Sequence, residues 1–145
     1  MRTLLALALV AGLGAPALAA EHRVEMLTKG PDGGRNVFNP LVVRAEPGDT
    51  IVFVPVDKGH NSASMDDGVP DGGESWDGKI NKEVSVTLDA EGVYIYKCTP
   101  HLAQGMIGAV VVGAPTNLDA VRGIKYRGKA KTVAETIFAE IEAGS

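Results

Sequence analysis

The one cysteine in the chain, Cys98, shares a short stretch with His101 and Met106. Both flanks of that stretch read as strands, Gly92-Val93-Tyr94-Ile95-Tyr96-Lys97 before it and Ile107-Gly108-Ala109-Val110-Val111-Val112 after it. A loop this short joins antiparallel neighbours. Whatever fold the chain adopts must therefore bring a thiol, an imidazole and a thioether to one point at the end of a sheet.

Thiolate and imidazole together favour copper, zinc, iron or nickel over hard ions, and a thioether adds a preference for soft metal character. The set lacks one strong ligand. Only His22 and His60 remain as imidazole donors. His60 follows the apolar run Ile51-Val52-Phe53-Val54-Pro55-Val56, so it lies at a strand end where loops meet. The expected metal site is therefore His60, Cys98, His101 and Met106. Two imidazoles, a thiolate and a weak axial thioether make the blue-copper electron-transfer pattern. His60, Cys98 and His101 would set a roughly trigonal plane, and Met106 would tune the potential from the axis.

Neighbouring residues fit this role. Gly59 permits the turn that aims His60 inward, and Gly105 the bend before Met106. Pro100 removes a backbone donor beside the sulfur and stiffens the loop. Asn61 carries an amide that needs partners if buried, and tying the His60 loop to the Cys98 loop would supply them. His22 is expected to be exposed and without a role.

The chain opens with a targeting segment. Met1-Arg2 is a short positive start, Leu4 to Leu13 is apolar apart from Gly12, and Ala17-Leu18-Ala19 offers small residues at a signal peptidase site. A membrane anchor would need about 20 apolar residues. Residues 1–19 are thus expected to be a leader cleaved after Ala19, leaving residues 20–145 as one domain, with no membrane segment. A lone cysteine in an exported chain is intermolecular, reactive or metal-bound. The formal net charge is −4, and loss of Arg2 would make it −5. That balance and export both argue against nucleic acid, whose phosphates demand cations.

Between leader and ligand loop the pattern is of strands. Glu21 to Leu27 alternates imperfectly and reads as an edge strand. Val37 to Val43 is a second extended segment, in which Pro40 favours an edge position or a bend. Glu46-Pro47-Gly48-Asp49 is a turn, Thr50 to Val56 a central strand, and Glu83 to Leu88 a half-buried one. Gly30-Pro31-Asp32-Gly33-Gly34 lacks the spacing of a nucleotide loop. The aspartates of Asp66 to Gly73 lack the spacing of a calcium loop. Seven or eight short strands with turns between them indicate an antiparallel sandwich or barrel. After Gly113 the period changes. A short capped helix is expected at about 116–122. A second is expected at about 132–142, opened by the capping box Thr132-Val133-Ala134-Glu135 and carrying Val133, Ile137 and Ile141 on one face.

The residues Gly48-Asp49-Thr50, Asp57-Lys58-Gly59-His60-Asn61, Ile80-Asn81, Gly92-Val93-Tyr94, Lys97-Cys98-Thr99-Pro100-His101 and Gly105-Met106 resemble the cupredoxin family of type 1 copper proteins. The likeness spans the chain after the leader. The loop spacing alone would also fit plastocyanin; two C-terminal helices favour a branch that plastocyanin and azurin do not share. The resemblance implies an all-β, eight-stranded Greek-key sandwich with two C-terminal helices packed on it. It implies one copper ion per monomer and a periplasmic single-electron carrier with no catalytic residues. The partners it implies are denitrification enzymes, copper nitrite reductase first, with nitrous oxide reductase or a c-type cytochrome as other acceptors. It further implies that the Asn61 amide bridges the ligand loops and that its backbone donates toward the cysteine sulfur. The family docks through lysines around an apolar patch where the second histidine surfaces. Here these are Lys29, Lys58, Lys79 and Lys97 around Leu102, with Lys129 among the lysines farther out. Asp77 stands where relatives often have lysine and Asn36 where they often have methionine, so a thinner basic ring is expected. The alternative reading of the same soft ligands is periplasmic copper storage or delivery.

Overall fold

A strand that is apolar at nearly every position needs cover on both faces. The runs on either side of the ligand loop have it. The computed structural model describes residues 17–144. In chain order its elements are β1 (Glu21–Lys29), β2 (Arg35–Asn39), β3 (Val42–Ala45), β4 (Asp49–Pro55), β5 (Ala63–Ser64), β6 (Val84–Leu88), β7 (Gly92–Lys97), β8 (Ile107–Val112), α1 (Leu118–Arg122) and α2 (Lys129–Ala143). A 3₁₀ turn over Thr99–Gln104 lies between β7 and β8. The leader expected over residues 1–19 falls, as far as residue 16, outside the described residues. Residues 17–20 run exposed into β1. No helix among the described residues is long and apolar enough to cross a membrane.

The strands form two four-stranded sheets, ordered β2-β1-β4-β6 and β3-β8-β7-β5. This is the eight-stranded sandwich expected, with two corrections. β1 is not an edge strand: β2 pairs with it antiparallel on one side and β4 parallel on the other. Nor is the sandwich wholly antiparallel, because β3 also runs parallel to β8. The extended segment around Pro40 supplies the crossover. It breaks at Asn39-Pro40 into β2 and β3, which belong to different sheets.

Period-2 alternation sorts side chains between two cores. Tyr94 and Tyr96 of β7, Val110 and Val112 of β8, and Cys98 and Met106 of the loop between them face the space between the sheets. Val93, Ile95, Ile107, Ala109 and Val111 face outward, where Val121 of α1 and Ala130, Ala134, Ile137 and Ile141 of α2 cover them. Each buried valine or isoleucine among them contributes about 1.5–3 kcal/mol by leaving water. Inside, the rings of Phe38 and Phe53 meet Tyr96 edge-on, each at 4.8 Å. Gly108 pairs with Tyr96 in register, and a Cβ there would stand 2.6 Å from its ring. The aromatic cluster is thus seated by a missing side chain.

The helices differ in detail from expectation. α1 starts at Leu118, and the side chain of its N-cap residue Asn117 makes no capping bond. Its amide instead takes Val93 N–H at 2.6 Å and donates to Val93 O at 2.9 Å, which pins the helix to β7. α2 starts at Lys129, so Thr132 is internal and the capping box is not used. Tertiary packing sets the start: Ala130 is fully buried, and Gly128 runs so close to the ligand loop that a Cβ would lie 2.9 Å from Ala103 O.

Candidate metal centre

The ligand loop is closed by its own backbone. Cys98 N–H donates to Met106 O at 2.9 Å, so the two ends meet at the pole of the β7–β8 pair. Pro100 enters the 3₁₀ turn where its missing N–H is no loss. His101 N–H donates to Cys98 O at 3.1 Å. Gly105, with φ of 89°, reverses the chain so that Met106 N–H reaches His101 O at 3.2 Å. A Cβ at Gly105 would lie 3.0 Å from Val133, so α2 presses directly on this loop.

His60 arrives from β4 by a separate route. Gly59 has φ of 92°, and its N–H donates to Asn81 Oδ1 at 2.6 Å. Asn81 N–H in turn donates to His60 O at 2.9 Å. The His60 ring is 1% exposed. Its Nδ1 faces the other donors. A ligating tautomer therefore carries its proton on Nε2, which lies 3.1 Å from Thr28 Oγ1 as acceptor.

The three strong donors form a small triangle. His60 Nδ1 and His101 Nδ1 are 3.2 Å apart, and Cys98 Sγ lies 3.8 Å from the first and 3.5 Å from the second. A point equidistant from all three is about 2.0 Å from each, close to the 2.0–2.1 Å bond that zinc, as a guide, makes with imidazole. The spacing and chemistry of these donors therefore fit a first-row metal ion, which His60, Cys98 and His101 would hold. Met106 is fully buried in the same core as Cys98.

Charge in the site follows the same logic. Burial, then the nearby His101, pushes the His60 pKa down, against a smaller upward pull from Asp57. The ring is thus kept neutral and able to ligate. Burial also pushes the Cys98 thiol up, while backbone N–H groups of Asn61 and His101 pull it part of the way back. A bound cation would supply the charge that favours thiolate.

Asn61 does what its position promised. It is 4% exposed, its Oδ1 accepts Thr99 N–H at 2.7 Å, and its Nδ2 donates to Thr99 Oγ1 at 3.0 Å and to Gly78 O at 2.9 Å. One side chain thereby joins the His60 loop to the Cys98 loop. Pro100 is exposed, and His101 and Leu102 are half-buried. Leu102 leans against the helix-covered core. Lys29, Lys58 and Lys79 are exposed and Lys97 is half-buried. Lys97 borders a groove that also holds Asp66, Asp71 and Asp77. Lys129, expected farther out, packs its side chain against Gly105, because α2 begins there.

Sequence reasoning missed Thr28 as a partner of His60. β1 carries Thr28 to the pole, and no local pattern announces that pairing. It also passed over His22, which is not idle: Nε2 sits 2.8 Å from Asp49 Oδ2, far from the triangle.

Residues 24–113 match the family model for copper binding proteins of the plastocyanin/azurin family. The chain is 46% identical over 137 residues to a pseudoazurin of Paracoccus pantotrophus, covering 94% of each. It superposes on the structure of a pseudoazurin from Sinorhizobium meliloti with a TM-score of 0.85 at 61% identity, covering 87% of this chain and 99% of that one. For a pseudoazurin from Hyphomicrobium denitrificans the TM-score is 0.79 at 42% identity, covering 83% and 97%.

Proposed function

The chain belongs to the plastocyanin/azurin family of copper-binding proteins, in its pseudoazurin branch, and from that premise we propose its ligands, its location and its partner. It is a cupredoxin electron carrier and not an enzyme. His60, Cys98, His101 and Met106 would hold the copper, the two imidazoles and the thiolate as its strong donors and the thioether as a weak one. The observation that carries this assignment is the triangle of 3.2, 3.5 and 3.8 Å between the three donors, on two loops that Asn61 ties together. When bound, copper supplies reversible one-electron chemistry between Cu(II) and Cu(I). The residues supply a frame that need not rearrange. Hydrogen bonds fix the ligand loop and Thr28 fixes the His60 ring. Cys98 is fully buried, which suits retention of metal better than storage or handover.

Residues 1–19 direct export and are removed after Ala19, which places the mature monomer in the periplasm. His101 is the ligand nearest solvent, with Pro100 and Leu102 beside it. A partner docks over this edge, guided by Lys29, Lys58, Lys79 and Lys97. Local field rather than total charge decides steering, so a formal net charge of −5 after loss of Arg2 does not prevent it. The partner is an acidic-faced periplasmic reductase of denitrification, nitrite reductase first, with nitrous oxide reductase and a c-type cytochrome as the other candidates. Such interfaces are small, below about 1,200 Å², so release stays fast.

Stopped-flow electron transfer to copper nitrite reductase across a salt series tests the partner. Rates should fall as the Debye length shrinks from about 10 Å at 0.1 M to about 3 Å at 1 M. Lys58→Glu and Lys97→Glu should slow transfer while leaving the visible spectrum nearly unchanged. Salt-independent rates that ignore both substitutions would rule this docking face out.

A further inference from the structure

Asp49 lies at the opposite end of β4 from His60 and is only 5% exposed. Its carboxylate accepts Glu46 N–H at 2.9 Å and Ala20 N–H at 2.8 Å, and His22 Nε2 stands 2.8 Å from Oδ2. The Glu46 amide, then His22, then the Ala20 amide hold its pKa down to about 2. A buried carboxylate is costly without a positive partner. Among the described residues no lysine or arginine forms an ion pair with it, and His22 is charged only when protonated. Yet one of its bonded atoms, the Ala20 nitrogen, is the atom that cleavage after Ala19 would free.

We propose that Asp49 is the receptor for the α-ammonium of Ala20 created by leader removal, so that processing turns an amide hydrogen bond into an ion pair. The proposal rests on the cleavage reading given above. Hydrolysis by a signal peptidase breaks the bond between Ala19 C and Ala20 N. The water oxygen goes to the Ala19 carboxylate, and both water hydrogens end on the Ala20 nitrogen, which becomes –NH₃⁺. Residues 17–20 are exposed, so the scissile bond is open to attack. Ala20 is also held on its other side, where its carbonyl accepts Thr50 N–H at 2.9 Å. The new terminus is therefore fixed at N and at O, which locks the start of β1 onto β4. The other titratable groups around it are Glu21 and His22 on β1, Glu46 before β4, and Asp89, whose Oδ1 would lie 3.9 Å from a Cβ at Gly48. All but His22 are acidic and favour a cation there. Cleavage one residue later would delete the nitrogen, and one earlier would leave it an amide.

The test compares copper-loaded protein beginning at Ala20 with a free amine against the same protein acetylated at Ala20. Acetylation keeps the N–H donor and removes the charge. By NMR titration the amine should titrate about one pH unit above its usual 7.7–8.0, equivalent to about tenfold in the folding constant. A pKa raised on folding means stability fully present below about pH 7.7 and lost as pH rises through the folded value. The acetylated protein should lack this component, and Asp49→Asn should abolish the pKa rise. If Asp49→Asn does not fold, the acetylated pair decides alone. An ordinary amine pKa, with equal thermal midpoints for free and acetylated protein across pH, would overturn the proposal. Terminal sequencing of the exported protein separates the two layers. A start other than Ala20 overturns the cleavage reading and the proposal with it. An Ala20 start with an unraised pKa overturns the proposal alone.

Discussion

Thr28 does for His60 what no residue of the ligand loop can. Its hydroxyl lies 3.1 Å from Nε2, so in the ligating tautomer it accepts the Nε2 proton and leaves Nδ1 free to ligate. Outer partners of ligating histidines are worth about 10–100-fold in metal affinity. Thr28→Val, which keeps the shape and removes the acceptor, should therefore weaken copper binding by about that factor in a competition titration. Unchanged affinity would mean that packing alone orients the ring. The ligands themselves were legible because each is a rare residue type, and three of them share one loop. Asn61 was legible for a related reason, as an amide beside a buried ligand must be satisfied. Thr28 was not, since a threonine at a strand end carries no mark of what it faces. The same holds for His22 and Asp49, which meet only because β1 and β4 run parallel.

At the scale of elements, α2 does more than cover the sheet. Ile137 and Ile141 are fully buried against β7 and β8, while Val133 and Lys129 press on Gly105 at the end of the ligand loop. Ile137→Ala should cost about 2–5 kcal/mol in denaturant unfolding, in the range for large-to-small core changes. The colour of the folded protein should survive, because the loop is closed by its own backbone bonds. A cost below 1 kcal/mol would show that α2 is an appendage. The buried face of this helix was readable from the spacing of Val133, Ile137 and Ile141, but its start was not. Thr132 to Glu135 matched a capping box, and the decisive fact was a long-range contact between Gly128 and Ala103. The strands show the same division. Alternation revealed which faces are buried, whereas the parallel pairings of β1 with β4 and β3 with β8 depend on a crossover at Asn39-Pro40 that local pattern does not encode.

For the whole molecule, the sandwich brings two independent chain ends to one pole. The β4 end delivers His60 and the β7–β8 hairpin delivers Cys98, His101 and Met106. The pole is buried at Cys98 and opens to solvent at His101, which is half-buried. A buried thiolate for retention and a half-buried imidazole for contact are the arrangement an electron carrier requires. The central claim is that these four side chains hold a single redox-active copper. Titration of the protein with Cu(II), followed by visible absorbance, tests it most directly. One equivalent per chain should give intense thiolate-to-copper absorption in the yellow-to-red region, and Cys98→Ser should bind without that colour or not bind at all. Colour that persists in Cys98→Ser, or the absence of any such band in the unsubstituted protein at one equivalent, would contradict the account.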